Sequence, residues 1–168
     1  MDRLLYIRPV YDEDVKLIEN WINQEYILKW FKSSEEWIKE IKARFGEFSF
    51  IKHFIVMYDN MPIGFCQYYD CLSANEIFHP EILIIGTFSI DYLIGEEEYL
   101  RKGIGKAIIK LIIHKIFNET EAERIVVKPE KENLASCNSL RTNNFEYDEE
   151  NDLYHLSKSD FLSKSDLD

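Results

Sequence analysis

A chain of 168 residues, 46% hydrophobic and 14% aromatic, suits one domain that buries about 70% of its unfolded surface and is too apolar for a disordered segment. Its net charge of −11 would repel a polyanion such as DNA and attract a cationic small molecule, although solubility alone favours the same surface. No apolar run nears the ~20 residues of a membrane span, Met1-Asp2-Arg3-Leu4-Leu5 lacks a signal-peptide profile, and Cys66, Cys71 and Cys137 have no C-x-x-C spacing, so a cytoplasmic protein with reduced thiols and no metal is expected.

From the N-terminus, Leu4 to Arg8 reads as a first strand stopped by Pro9. Asp12 can cap a helix from Glu13 to about Trp21, with Val15, Ile18 and Ile22 at helical spacing. Asn23 to Lys32, carrying Tyr26, Trp30 and Phe31, reads as a connection. Ser33-Ser34-Glu35-Glu36 has the form of a capping box and opens a second helix to about Phe45, with Trp37, Ile38, Ile41 and Phe45 on its apolar face. Phe54 to Tyr58 is a second strand, Asp59-Asn60-Met61-Pro62 a turn, and Ile63 to Tyr69 a third strand. After a polar, irregular stretch from Asp70 to Pro80, Glu81 to Ile94 predicts a long fourth strand with Gly86 at a bend.

Gly95-Glu96-Glu97-Glu98-Tyr99-Leu100 then leads to Arg101-Lys102-Gly103-Ile104-Gly105-Lys106 and an apolar helix reaching Phe117. The first N–H groups of a helix lack partners and its dipole is positive there, and glycines let a phosphate come close. The spacing is not that of a P-loop, and a dinucleotide fingerprint would need a third glycine where Ile108 stands. A pyrophosphate cradle and a plain tight turn before a core helix both remain open. A strand from Ile125 to Lys128, a loop from Pro129 to Asn133 and a short helix from Leu134 to about Thr142 follow, then strands near Phe145 to Glu149 and Leu153 to Leu156. With no repeat and no linker, residues 1–158 are expected to form one α/β domain, and the Ser/Asp/Lys-rich residues 159–168 a frayed tail.

Leu100-Arg101-Lys102-Gly103-Ile104-Gly105 resembles the R/Q-x-x-G-x-G/A motif of the GNAT N-acetyltransferase superfamily, with Leu100 in place of the usual Arg or Gln. Asn133-Leu134-Ala135-Ser136 and Asn143-Asn144-Phe145 are similar to that family's N-x-x-A/S and x-G-F segments. Trp21-Ile22-Asn23 with Trp30-Phe31, Pro62-Ile63-Gly64-Phe65-Cys66-Gln67, and Ser89-Ile90-Asp91 resemble stretches of the aminoglycoside 6′-N-acetyltransferases. The resemblance spans roughly residues 5 to 150. It implies a mixed, mostly antiparallel central sheet with a splayed fourth strand, flanked by helices. It also implies acetyl-coenzyme A as co-substrate, its pantetheine arm along Tyr92, Leu93 and Ile94 and its pyrophosphate at Arg101, Lys102, Gly103, Ile104, Gly105 and Lys106. Asn133 matches the coenzyme-contacting asparagine, although capping the helix at Leu134 would explain it equally.

Acetyl transfer to an amine needs a base for the amine's proton and a donor facing the thioester carbonyl. Asp91 stands in an apolar strand, where a carboxylate is costly without partners. The resemblance places it beside the amine, as base or as anchor for the ammonium; a solvent-facing strand position is the plainer reading. The family's usual acid, a tyrosine, is replaced by Leu140, which leaves solvent, another tyrosine (Tyr92, Tyr99 or Tyr147) or no acid at all open. Trp30, Phe31, Gln67 and Tyr69 are the candidate acceptor-site residues, with Glu76 and Glu81 as further negative charge. His53, His79, His114 and His155 have no spacing that suggests a metal or a nucleophilic triad. The expected partner is a cationic small-molecule amine, in first place the 6′-amine of an aminoglycoside, with no nucleic acid and no membrane. A protein N-terminus, a polyamine, a siderophore hydroxylamine, or a weakly catalytic acyl-coenzyme A-binding module are the alternatives, and monomer and homodimer both stay open.

Overall fold

The computed structural model describes residues 4–165. Its centre is a seven-stranded sheet in the order β1-β2-β3-β4-β5-β7-β6, formed by Leu5–Pro9, Ile51–Tyr58, Met61–Asp70, Thr87–Ile94, Arg124–Val127, Glu146–Asp148 and Leu153–Ser157 for β1 to β7. Every neighbouring pair is antiparallel except β4 and β5. The β2–β3 hairpin closes through Asp59 and Asn60, both at positive φ, as a two-residue turn between right-twisted strands requires.

Helices α1 (Val15–Ile22), α2 (Glu25–Phe31) and α3 (Ser34–Lys42) cover one face, where Ile18, Trp21, Ile22, Ile27, Ile38 and Ile41 pack on Ile55, Phe65 and Leu93. The short α4 (Cys71–Ala74) follows β3. α5 (Ile104–Glu119), α6 (Leu134–Thr142) and α7 (Lys158–Ser165) go with the other face, where Ile108, Ile109, Ile112 and Ile116 meet Val56, Cys66, Ile90 and Ile125. The three cysteines are buried and reduced. No described helix is long and apolar enough to cross a membrane, and no described cluster of His, Cys, Asp or Glu could hold a metal ion.

Several expectations are corrected. The connection at 23–32 contains α2, because Ile27 is buried with Ile18, Trp21 and Ile55 and the N–H groups of Ile27 and Leu28 both bond to the carbonyl of Gln24, the residue before the helix. The helix expected to reach Phe45 ends at Lys42, and Phe45 is 84% exposed under the Arg44 guanidinium. Asp12 does not cap α1; Asp14 takes a bidentate bond from Arg8 at 2.7 and 2.9 Å and accepts the Tyr11 N–H. That arginine holds the Asp14 carboxyl below its ordinary range. β4 begins at Thr87 rather than Glu81, because Gly86 turns at φ 81° and Arg124 binds the carbonyls of Leu83 and Ile85. The expected tail is helical to Ser165, since Phe161 is buried against Phe117 and His114. Its last residues, 166–168, lie outside the described residues.

Candidate active site

β4 pairs with β3 from Phe88 to Ile94, but with β5 only at Thr87 and Phe88. Beyond Phe88 the two parallel strands part. The Gly95 N–H donates to the Ile63 carbonyl on the β3 side at 2.7 Å. Alternation along the ladder therefore turns the N–H and C=O of Ile90, Tyr92 and Ile94 toward the gap, and those of Asp91 and Leu93 toward β3. The Ile94 carbonyl accepts the Tyr26 hydroxyl of α2 at 2.8 Å. Gly95 next to it lies flat against the Trp21 indole, leaving no room for a side chain. The mouth of the gap is fixed by α1 and α2.

One groove of about 570 Å³ runs from this gap to the start of α5. Tyr92, Leu93, Ile94, Arg101, Gly103, Ile104, Gly105, Lys106 and Asn133 all line it, together with Leu100, Ser136 and Ser139. Lys102 is the one expected coenzyme residue outside; its ammonium stands over the Tyr99 ring. Leu93 lines the groove, but its backbone serves β3 and its side chain is core. Gly103 caps α5 at φ 76°, a conformation that favours glycine, and the space where its Cβ would stand is open. Ahead of it the unpaired N–H groups of the first turn face the groove with the positive end of a 16-residue helix. Asn133 is the cap of α6, its Oδ1 accepting the Ser136 N–H at 3.2 Å.

A passage of about 240 Å³ leads from the groove along Ser89, Ile90, Asp91 and Tyr92, opposite Val127 to Glu130. Trp30, Phe31, Tyr92, Asn133 and Ser136 belong to groove and passage alike. Trp30 and Phe31 thus sit at the junction of groove and passage, lining the passage together with Tyr69 and Asp91. Beyond lies a cavity of about 410 Å³ between α3, β3 and α4, which contains Glu36, Glu40, Glu76 and Asp91 and no basic residue. Its aromatic wall is Trp37, Phe48, Phe50 and Tyr69. Asp91, Trp37, Tyr69 and Glu76 line both passage and cavity. Glu81 lines neither.

Asp91 is therefore one of the four residues at which passage and cavity meet. Burial, with Glu76 and Glu40 nearby, pushes its carboxyl up to about 7, against the opposing hydrogen bond from Gln67 Nε2 to Asp91 Oδ2 at 3.0 Å. Gln67, expected as a substrate contact, lines the acidic cavity while only 2% exposed, and its amide holds Asp91 in place. Across the ladder stands His53, whose pKa burial pushes down to about 4, so that a neutral imidazole backs the row His53–Gln67–Asp91. Burial followed by Glu36 raises the Glu40 carboxyl, and burial followed by Asp91 raises the Tyr69 hydroxyl. With the Asp91 and Glu40 carboxyls raised in this way, the cavity gains from any cation that enters. The Tyr92 hydroxyl, on the other face, is hydrogen-bonded by Ser136 and Ser139 and kept protonated by burial. Tyr99 packs on Tyr58 and Tyr147 bonds Asp152, both away from the groove and the passage. Sequence reasoning missed Glu36, Glu40, Phe48 and Phe50, since nothing in their spacing ties α3 to the loop before β2.

The family model for the acetyltransferase (GNAT) domain matches residues 10–153. Two curated aminoglycoside N(6′)-acetyltransferases of type 1, from Klebsiella pneumoniae and Serratia marcescens, are each 23% identical over 150 residues, covering 83% of this chain and 73% of theirs. The crystal structure of the aminoglycoside acetyltransferase AAC(6′)-Ib with coenzyme A superposes with a TM-score of 0.83 at 19% identity, covering 96% of this chain and 99% of that one. An aminoglycoside N(6′)-acetyltransferase from Legionella pneumophila gives 0.75 at 18% identity, covering 98% of each chain. A seven-stranded sheet that parts after Phe88, a glycine-opened α5 and a domain match over most of the sequence agree: this chain belongs to the GNAT acetyltransferase family.

Proposed function

We propose that this protein transfers the acetyl group of acetyl-coenzyme A to the 6′-amine of an aminoglycoside. The observation that carries the reading is the passage that joins the coenzyme-sized groove to the all-acidic, aromatic-walled cavity, with Asp91 lining both passage and cavity. Similarity to aminoglycoside N(6′)-acetyltransferases, and to AAC(6′)-Ib solved with coenzyme A and kanamycin, supports the same substrate pair. The first turn of α5 takes the pyrophosphate on its N–H groups, and the gap-facing edge of β4 takes the pantetheine arm.

The chemistry follows from what each group can do. The acceptor enters as a polycation, attracted by Glu36, Glu40, Glu76 and Asp91. A carboxyl titrating near 7 is matched to proton transfer at neutral pH, so Asp91 takes one proton from the ammonium. The freed lone pair bonds the thioester carbon, while the Tyr92 N–H, facing the gap, is the donor available to the carbonyl oxygen. As the intermediate collapses, the C–S electron pair leaves with sulfur and the nitrogen gives its surplus proton to solvent. The thiolate takes a proton from the Tyr92 hydroxyl, which solvent refills past Ser136 and Ser139. Tyr92→Phe should then lower kcat about tenfold or more with little change in acceptor KM; an unchanged kcat would leave the thiolate to solvent.

The test is a panel of amines assayed by thiol release from acetyl-coenzyme A, with aminoglycosides beside polyamines, hydroxylamines and peptides. Turnover confined to aminoglycosides is the expected result. Preference for a peptide N-terminus or a linear polyamine would overturn the substrate assignment.

A further inference from the structure

On the far side of α5 lies a recess of about 340 Å³ whose lining opposes the charge of the whole chain. Lys106, Lys110, His114 and Lys164 supply its titratable groups, and among the described residues no Asp or Glu lines it. Lys106 and Lys110 form no ion pair among the described residues, although the chain carries 31 carboxylate side chains to 20 lysines and arginines. The recess has a firm floor: Phe161 stacks on Phe117, and Asn143 ties α6 to α5 by donating to the Lys106 carbonyl at 3.0 Å. Lysines left unpaired together in an acidic protein mark a place for an anion.

We infer that this recess holds the 3′-phosphate of the coenzyme, so that the chain reads the phosphomonoester as well as the pyrophosphate. The inference rests on the acetyl-coenzyme A reading above. Lys106 is the hinge of the geometry, because it lines both the coenzyme groove and the recess. Lys110 follows one turn later on the same helix face, ~6 Å along the axis, and helical side chains lean toward the N-terminus. Its side chain therefore leaves the helix tilted toward the turn that receives the pyrophosphate. In the coenzyme one ribose separates pyrophosphate from 3′-phosphate, a span comparable to that one turn. A dianion between Lys106 and Lys110 would gain charge-assisted hydrogen bonds, and Thr142 and Asn144 at the end of α6 border the same space.

Calorimetric titration of coenzyme A and 3′-dephospho-coenzyme A into wild type, Lys110→Gln and Lys110→Arg tests this. Wild type should prefer coenzyme A about tenfold; Lys110→Gln should reduce that preference below about threefold, leave the dephospho form's affinity nearly unchanged, and recover with Lys110→Arg. Equal wild-type affinity for the two coenzymes would overturn the inference, as would a Lys110→Gln loss shared equally by both. A second arm distinguishes the source of the phosphate. If inorganic phosphate at constant ionic strength further stabilises wild type already saturated with coenzyme A, the recess is vacant in that complex and serves another phosphate ester. If wild type binds neither coenzyme, the acetyl-transfer reading itself fails, an outcome distinct from binding without discrimination.

Discussion

Asp91 combines two costs, burial and the company of Glu76 and Glu40, that the Gln67 hydrogen bond offsets only in part. A carboxyl whose folded pKa lies above its unfolded value binds an extra proton in the native state, so stability falls as pH rises from about 4 to about 7. Asp91→Asn removes that liability. In melts of the unliganded protein, the variant should gain on wild type across this window, by on the order of 1–2 kcal/mol above pH 7. A stability difference that does not vary with pH would return the carboxyl to its ordinary range. In kinetics the same replacement should lower kcat/KM for the amine by about 100-fold or more, the range for a lost general base, with coenzyme affinity nearly intact. If Asp91 only anchors the ammonium, the loss falls on KM. The ascending limb of the pH profile cannot separate the two alone, since deprotonation of the amine gives the same shape; the kcat and KM split does. The site was legible at this scale where chemistry sits awkwardly in sequence: an aspartate inside Ser89-Ile90-Asp91-Tyr92-Leu93 is conspicuous. Glu36 and Glu40 were not, because on α3 they read as the solvated face of an amphipathic helix and only the fold brings them to Asp91.

At the scale of elements, β4 and α5 carry the design. The glycine-rich turn was readable because Gly103 must adopt φ 76° and the apolar run after it needs a core. α2 was not readable, since seven residues with a tryptophan, a tyrosine and a phenylalanine show no helical stripe, and packing against β4 decides their conformation. The tail at 159–165 failed for the opposite reason: its composition is polar, and a single buried Phe161 outweighs it. Gly103→Val tests the cradle. Valine is strained at positive φ and puts a branched side chain beside the first-turn N–H groups, so the rise in melting temperature given by acetyl-coenzyme A should vanish. An undiminished rise in the variant would place the pyrophosphate elsewhere.

Over the whole molecule, charge is divided by function. Glu36, Glu40, Glu76 and Asp91 line the cavity where a polycation would enter, while Arg101 and Lys106 line the coenzyme groove and Lys110 the recess beside it. Screening should therefore act on acceptor capture: acceptor KM is expected to rise several-fold between low salt and ~0.15 M, where the Debye length is about 8 Å. A KM indifferent to salt would favour an uncharged or peptide acceptor. The central claim is narrower, that the groove and the acidic cavity meet so as to acylate one particular amine. Thiol release from acetyl-coenzyme A, measured with a matched pair of aminoglycosides that carry an amine or a hydroxyl at the 6′ carbon, tests it most directly. The 6′-amine compound should turn over and yield a mono-acetylated product, and the 6′-hydroxyl compound should bind without turnover; equal rates for the two, or no release with either, would contradict the account.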